Sequence, residues 1–386
     1  MPKVEPPAAI PTTAEVKAAI PAECFERNLA KSLAYAAFSV GLTLITGALA
    51  LAFIPLEWAW APAWVAYGYV NGTIAVGVWV LAHECGHRAF APTTRVQDAV
   101  GFVMHSALLV PYFSWQRSHA IHHGKTNHLV DGETHVPKRL DTSRGQRTLR
   151  VRNRIGVGTH GLFTVVSRLT FGWPLYLLFG MTGGSSRGLT NHFWPGRPFS
   201  AALFPNRWKT KVYWSALGVI AMLGVLAAWA AIRGPLEVLA VYFGPYIVVN
   251  GWLVLYTWLQ HTDEDVPHYD EDDWSFVRGA FCSVDRPYGP IADFLHHRIG
   301  STHVAHHLDA KIPHYNARKA TAAIREAFPE LYRYNPAPIR RALWDVATKC
   351  HVVGETEDGW QFTERVEIDL RQSDSEVEHK HTSAAA

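Results

Sequence analysis

The chain is poor in cysteine and carries little net charge. Its four cysteines, Cys24, Cys85, Cys282 and Cys350, lie far apart and never as C-x-x-C. That excludes a disulfide framework and a thiolate metal site. A formal net charge of +3 over 386 residues points to neither a nucleic acid nor an acidic partner. The opening stretch MPKVEPPAAIPTTAEVKAAIP has no apolar core and is not arginine-rich, so neither a secretory signal nor a plastid transit peptide is expected there. What the chain has in quantity is apolar residues (48%), tryptophan (15) and histidine (21), and each is distributed in a telling way.

The apolar residues gather in four long runs, at about 32–54, 62–82, 213–232 and 236–259. Crossing a hydrocarbon core of about 30 Å takes roughly 20 helical residues, so each run is a candidate span. Short connections join them in pairs, one bearing Trp58, Trp60 and Trp64, the other only Arg233-Gly234-Pro235. The fold expected is therefore an all-α membrane protein with four transmembrane helices in two hairpins. The tips of the hairpins hold no Lys or Arg except Arg233, whereas segments 83–212 and 260–355 are rich in both. The positive-inside rule then makes these segments a cytosolic helical cap, leaves both termini in the cytosol and turns the tips to the lumen. Within the cap, Ala99–Phe113 and Ile155–Gly180 are apolar but interrupted, and are expected as interfacial or half-buried helices. Residues 1–30 read as a polar cytosolic arm with a short amphipathic stretch at Ala14–Ile20, and 356–386 as a tail with a disordered end.

Histidine is concentrated in three clusters: His83-Glu84-Cys85-Gly86-His87, His119-Ala120-Ile121-His122-His123 and His303-Val304-Ala305-His306-His307. Residues at i and i+4, or i+3, share one face of a helix. Each cluster thus offers a one-turn patch of imidazoles, and all three fall on the cytosolic side. Eight such nitrogens exceed the four ligands of one zinc ion and suit two transition metals. Imidazole accepts Fe, Zn, Cu and Ni alike, so spacing does not choose the metal. The first cluster also matches H-E-x-x-H, in which two histidines bind zinc and Glu84 is a general base. An intramembrane zinc metalloprotease is the reading from another class, and it leaves both H-x-x-H-H clusters without a role. The doublet His296-His297 reads as structural or surface.

The order H-x-x-x-H, H-x-x-H-H, H-x-x-H-H after an apolar hairpin resembles the membrane fatty-acid desaturases. Residues 83–90 (HECGHRAF), 303–321 (HVAHHLDAKIPHYNARKAT), 19–27 (AIPAECFER), 259–262 (LQHT) and 266–270 (VPHYD) are similar to the endoplasmic-reticulum oleate (Δ12, omega-6) desaturases. The resemblance implies two non-haem irons in the cap, held by His83, His87, His119, His122, His123, His303, His306 and His307. His261, the first histidine after the fourth apolar run, stands where related enzymes carry a ninth ligand. It also implies O2 as co-substrate, an acyl-lipid substrate, the endoplasmic reticulum membrane, and two electrons from cytochrome b5 and its reductase. No His-Pro-Gly-Gly motif is present, so the donor is expected as a separate protein. Glu84, Asp131 and Glu133 are candidates to orient the imidazoles by accepting their second N–H. Trp115 is a candidate tunnel cap or an interface anchor. The run Arg144, Arg147, Arg150, Arg152, Arg154 is a candidate surface for an acidic donor or for anionic lipid. Asp309-Ala310-Lys311, and Asp131-Gly132-Glu133 more loosely, depart from the oleate enzymes' pattern. An omega-3 desaturase and a fatty-acyl hydroxylase therefore stay open beside the omega-6 reading.

Overall fold

The computed structural model describes residues 9–363. After α1 (Thr13–Ala19), whose Thr12 and Glu15 form a reciprocal cap, the long helix α2 (Leu29–Phe53) starts at Asn28, which accepts from the Lys31 amide. α2 stops just before Pro55, and α3 (Ala61–His87) begins with Pro62 in its first turn. α3 ends where Arg88 takes a left-handed φ of 67° and pairs with Asp98 at 2.7 Å. The first histidine cluster therefore occupies the last turn of a helix long and apolar enough to cross a membrane.

Ala99–Phe113 is not one helix. α4 (Thr94–Ala107) and α5 (Tyr112–Gly124) are separate, because Leu109 adopts φ 55° and Pro111 immediately precedes α5. After β1 (Lys138–Arg139) come α6 (Ser143–Ile155), α7 (Val157–Phe179) and α8 (Lys209–Arg233). Gly234 turns the chain at φ 94°, and α9 (Pro235–Val238) runs through a π turn, Leu239–Phe243, into α10 (Gly244–His261). The remaining cap holds α11 (Phe276–Ala280), α12 (Pro290–Leu295), α13 (His303–Leu308), α14 (His314–Ala327) and α15 (Ile339–Lys349). Two strands follow, β2 (Val352–Thr356) and β3 (Gly359–Phe362).

Among the described residues five helices, not four, are long and apolar enough to cross a membrane: the four expected runs and α7. The all-helical expectation also needs correction. β1, β2 and β3 form a small sheet, parallel between β1 and β2 and antiparallel between β2 and β3. The ordered fold thus reaches Phe362, past the expected boundary at 355, and the expected disordered end lies outside the described residues. Residues 9–27, part of the expected arm, pack onto the rest of the fold. Val16, Ile20 and Cys24 are buried against Leu308, Ala320 and Ile324, so the N-terminal segment completes the core beneath α13 and α14.

Segment 290–300 reaches far along the helix bundle. His296 Nε2 donates to the Thr73 carbonyl (2.7 Å), and its Nδ1 faces the Tyr256 hydroxyl at 2.7 Å. His297 Nε2 pairs with Ser39 Oγ at 3.1 Å. The doublet is therefore structural, and it is buried rather than on the surface. Thr73 precedes His83 by ten residues on α3, which at 1.5 Å per residue is ~15 Å along the helix from the histidine cluster.

Candidate metal centre

α3, α5, α10 and α13 converge their histidines at one level. Five of them, His83, His87, His119, His123 and His306, bring one ring nitrogen each within 4.8 Å of one another. His122, His261 and His307 make a second such group. His303 joins the second group through a 3.0 Å contact between its Nε2 and that of His261. All nine residues named from the sequence are thus gathered, His261 included. The groups adjoin, the rings of His123 and His307 stacking with centroids 4.0 Å apart.

The atoms that converge are those a metal would take. Nε2 of His83 lies 2.9 Å from Nε2 of His119 and 3.2 Å from that of His87. Nε2 of His123 lies 3.2 Å from that of His119, and Nε2 of His122 lies 3.0 Å from that of His261. Nε2 of His306 and of His307 are buried with no hydrogen-bond partner. So many buried imidazole lone pairs aimed inward leave costly unsatisfied acceptors, which bound cations would satisfy. Burial, reinforced by neighbouring histidines, holds His119, His123, His303 and His307 well below the usual imidazole range. Burial likewise brings His122 down to about 4 and His306 to about 3. Neutral imidazole is the form that binds metals.

Hydroxyls, not carboxylates, face the outer nitrogens of two of these rings. Thr126 Oγ1 lies 3.0 Å from Nδ1 of His307 and donates its own hydrogen to the His122 carbonyl at 2.8 Å. Its oxygen must then accept from His307 Nδ1–H, which fixes the tautomer and leaves Nε2 as the inward lone pair. Thr134 Oγ1 sits 2.9 Å from Nδ1 of His122. The three expected carboxylates are engaged elsewhere. Glu84 accepts the His314 amide (2.5 Å) and His314 Nδ1 (2.8 Å) with its two oxygens. Asp131 faces Lys125 at 3.5 Å. Glu133 accepts from the Tyr176 hydroxyl at 2.9 Å, and burial pushes its carboxyl up to about 8. Glu84 is thus committed to His314, whereas the H-E-x-x-H reading needs it beside a metal-bound water.

A carboxylate the sequence did not single out does serve the site. Asp285, wholly buried, accepts from the amides of His303 (2.5 Å) and Val304 (2.9 Å) at the start of α13, and from the Tyr332 hydroxyl (2.7 Å). Nothing in the surrounding Ser-Val-Asp-Arg distinguishes it from an ordinary surface acid. Trp115 is neither interface anchor nor exposed: it is buried, stacks on His119 at 4.6 Å and leans on Gly86, where an added Cβ would meet its ring at 2.7 Å. Of the arginine run, Arg144, Arg147, Arg150 and Arg154 are exposed. Arg152 turns inward, its Nε donating to the Thr348 carbonyl at 3.1 Å.

Comparison with known proteins agrees with this geometry. Residues 58–337 match the fatty acid desaturase family. The chain is 39% identical to a Δ12-fatty-acid desaturase of Vernicia fordii over 353 residues, 90% of this chain and 88% of the relative. It is 39% identical to a Δ12-acyl-lipid-desaturase of Punica granatum over 364 residues, 93% of this chain and 90% of the relative. An oleoyl-12-hydroxylase of Ricinus communis is 38% identical over 353 residues, 90% of this chain and 88% of the relative. With a match that spans most of the chain and relatives covered almost end to end, this protein belongs to the fatty acid desaturase family.

Proposed function

We propose that the chain introduces the Δ12 cis double bond into oleoyl chains of membrane lipid, using O2 and two electrons, at two irons held by the nine converged histidines. The observation that carries this reading is the convergence itself: two adjoining groups of buried, neutral imidazoles with their lone pairs turned inward. His83, His87, His119, His123 and His306 would hold one ion, and His122, His261, His303 and His307 the other. Bound there, iron supplies the O2 chemistry that removes hydrogen from an unactivated methylene pair, which no side-chain acid or base can do. The protein's part is to keep the imidazoles neutral by burial, to fix the His307 tautomer through Thr126, and to pin α13 through Asp285. Trp79 and Trp115, packed on His83 (5.4 Å) and His119 (4.6 Å), keep water from the inner faces of the rings.

The proposed topology keeps four spans, with α7 lying against the cap side of α10. Both ends of α7 meet cap elements. Near its start Gly161 abuts Thr348 of α15, and near its end Tyr176 bonds Glu133 and the Leu178 carbonyl accepts from Asn191. Both termini then face the cytosol, in the endoplasmic reticulum membrane. The exposed arginines of α6 offer a basic face to an acidic donor such as cytochrome b5, reduced by its own reductase.

The near-equal identity to an oleoyl-12-hydroxylase favours one second reading, hydroxylation at the same carbon. One experiment tests both. Wild type and His306→Ala are expressed in yeast, fatty acids are profiled by gas chromatography, and metals are counted by mass spectrometry on detergent-purified protein. New linoleate with about two irons per chain, both lost in the variant, supports the proposal. A hydroxy-acid peak without a diene replaces it with the hydroxylase. One zinc and an unchanged profile overturns both.

A further inference from the structure

A cleft of about 840 Å³ lies between α12 and α14, lined in part by Arg298, Arg318 and Arg325. Arg298 and Arg318 make no side-chain hydrogen bond or close ion pair among the described residues, their charges acting at longer range on the Asp293 carboxylate, and Arg325 faces the Tyr332 ring 5.9 Å away. Two carboxylates share the lining, Asp293 and Glu326, and Asp293 Oδ1 already accepts from Ser301 Oγ at 3.0 Å. Three guanidinium groups against two carboxylates leave a surplus of one positive charge. That surplus suits an anionic group such as a phosphodiester.

Two further observations give the cleft its place. Thr302 lines both the cleft and a narrow cavity of about 20 Å³ bounded by His83 and His306, so the cleft and the metal centre share a wall. Its other edge belongs to the lipid side. Phe294 lines the cleft, is 59% exposed and packs edge-on to Phe38 of α2 at 5.6 Å, and nearby Ile291 is 73% exposed. The following residue pair, His296-His297, is anchored on α3 and α2 toward the membrane side. Guanidinium groups on the cap face above exposed aromatic and aliphatic side chains on the membrane face reproduce the order of a lipid leaflet, phosphate above hydrocarbon.

We propose that Arg298, Arg318 and Arg325 bind the headgroup phosphate of a membrane glycerophospholipid, which sets that lipid's acyl chains beside Thr302 and the histidines. The assignment rests on the acyl-chain reading of the metal centre, but its test does not need turnover. Protein purified in detergent with its native metal is titrated with radiolabelled dioleoylphosphatidylcholine, with unlabelled lipid and oleoyl-CoA as competitors. The expected result is binding weaker by about ten-fold or more in Arg298→Gln/Arg318→Gln/Arg325→Gln, as for lost charge-assisted hydrogen bonds. Partial recovery is expected in the corresponding lysine triple, and no change in Arg340→Gln, which lies outside the cleft. Equal binding by wild type and the glutamine triple overturns the proposal, as does no binding by wild type. Oleoyl-CoA competing at least about ten-fold better than the lipid also overturns it, by assigning the cleft to the other phosphate source. Arginine-dependent binding in a protein that makes no diene keeps this site and refutes the desaturation reading alone.

Discussion

Replacing Asp285 by alanine should detach three of the nine histidines of the metal centre, one from the first group and two from the second. α13 is six residues long, far too short to be stable as an isolated helix, yet it carries His303, His306 and His307. Its N-terminus is held by one carboxylate, which accepts two amides at 2.5 and 2.9 Å and a hydroxyl at 2.7 Å. Alanine leaves all three donors without a partner in a buried place. At about 1–3 kcal/mol for each unsatisfied group, the cost is roughly 3–9 kcal/mol, comparable with the stability of a whole domain at about 5–15 kcal/mol. The cheaper outcome is local melting of α13. Asparagine keeps an oxygen for the two amides and turns its nitrogen to Tyr332, whose hydroxyl can accept. It should cost only the charge assistance, about 1–2 kcal/mol. The assay is metal content per chain on detergent-purified protein, alongside thermal unfolding. Asp285→Ala should lose about half its metal or more and unfold at lower temperature, with Asp285→Asn close to wild type. An alanine variant with full metal content and an unchanged unfolding temperature would falsify the claim that Asp285 holds α13.

Thr126→Val and Thr134→Val remove the acceptors facing His307 and His122. Each should weaken metal retention against a chelator by about 10–100-fold, with Thr→Ser largely retaining it. Gly77→Ala places a Cβ 2.4 Å from the Leu295 carbonyl, a backbone atom that cannot give way. It should lower the unfolding free energy by about 1–3 kcal/mol, whereas Gly41→Ala, with open space around it, should not destabilise. In chelated protein, His122 at about 4 and His306 at about 3 lie below their ordinary 6.5. The unfolded chain then binds more protons below about pH 6.5, so their contribution is complete above that pH and is lost as pH falls toward 4. The unfolding temperature of the chelated protein should drop through this window more steeply than that of the metal-loaded one.

What could be read from the sequence divides along a physical line. The four hairpin helices and the nine histidines were legible because they follow periodicities fixed by local geometry: a run long enough for a bilayer, and imidazoles one turn apart. α7 was ambiguous for the same reason. Length and apolarity are local properties, but whether a helix crosses depends on what its two ends meet, and Thr348, Glu133 and Asn191 are distant in sequence. The small sheet was invisible because β1 is two residues long and its partner β2 lies more than 200 residues away. The misassignment of Glu84, Asp131 and Glu133 has a related cause. Proximity in sequence to a ligand was taken for proximity to its outer nitrogen. A side chain one residue from His83 on a helix points about 100° away from it, and that direction leads Glu84 to His314 instead. The groups that do face the rings obey the helical rule. Thr126 stands four residues after His122 and three after His123, where it can give its hydrogen to the carbonyl one turn back and offer its oxygen across to His307 on another helix. A search for hydroxyls three or four residues past each histidine cluster would have found it, whereas Asp285, which acts only through the tertiary fold, leaves no such trace.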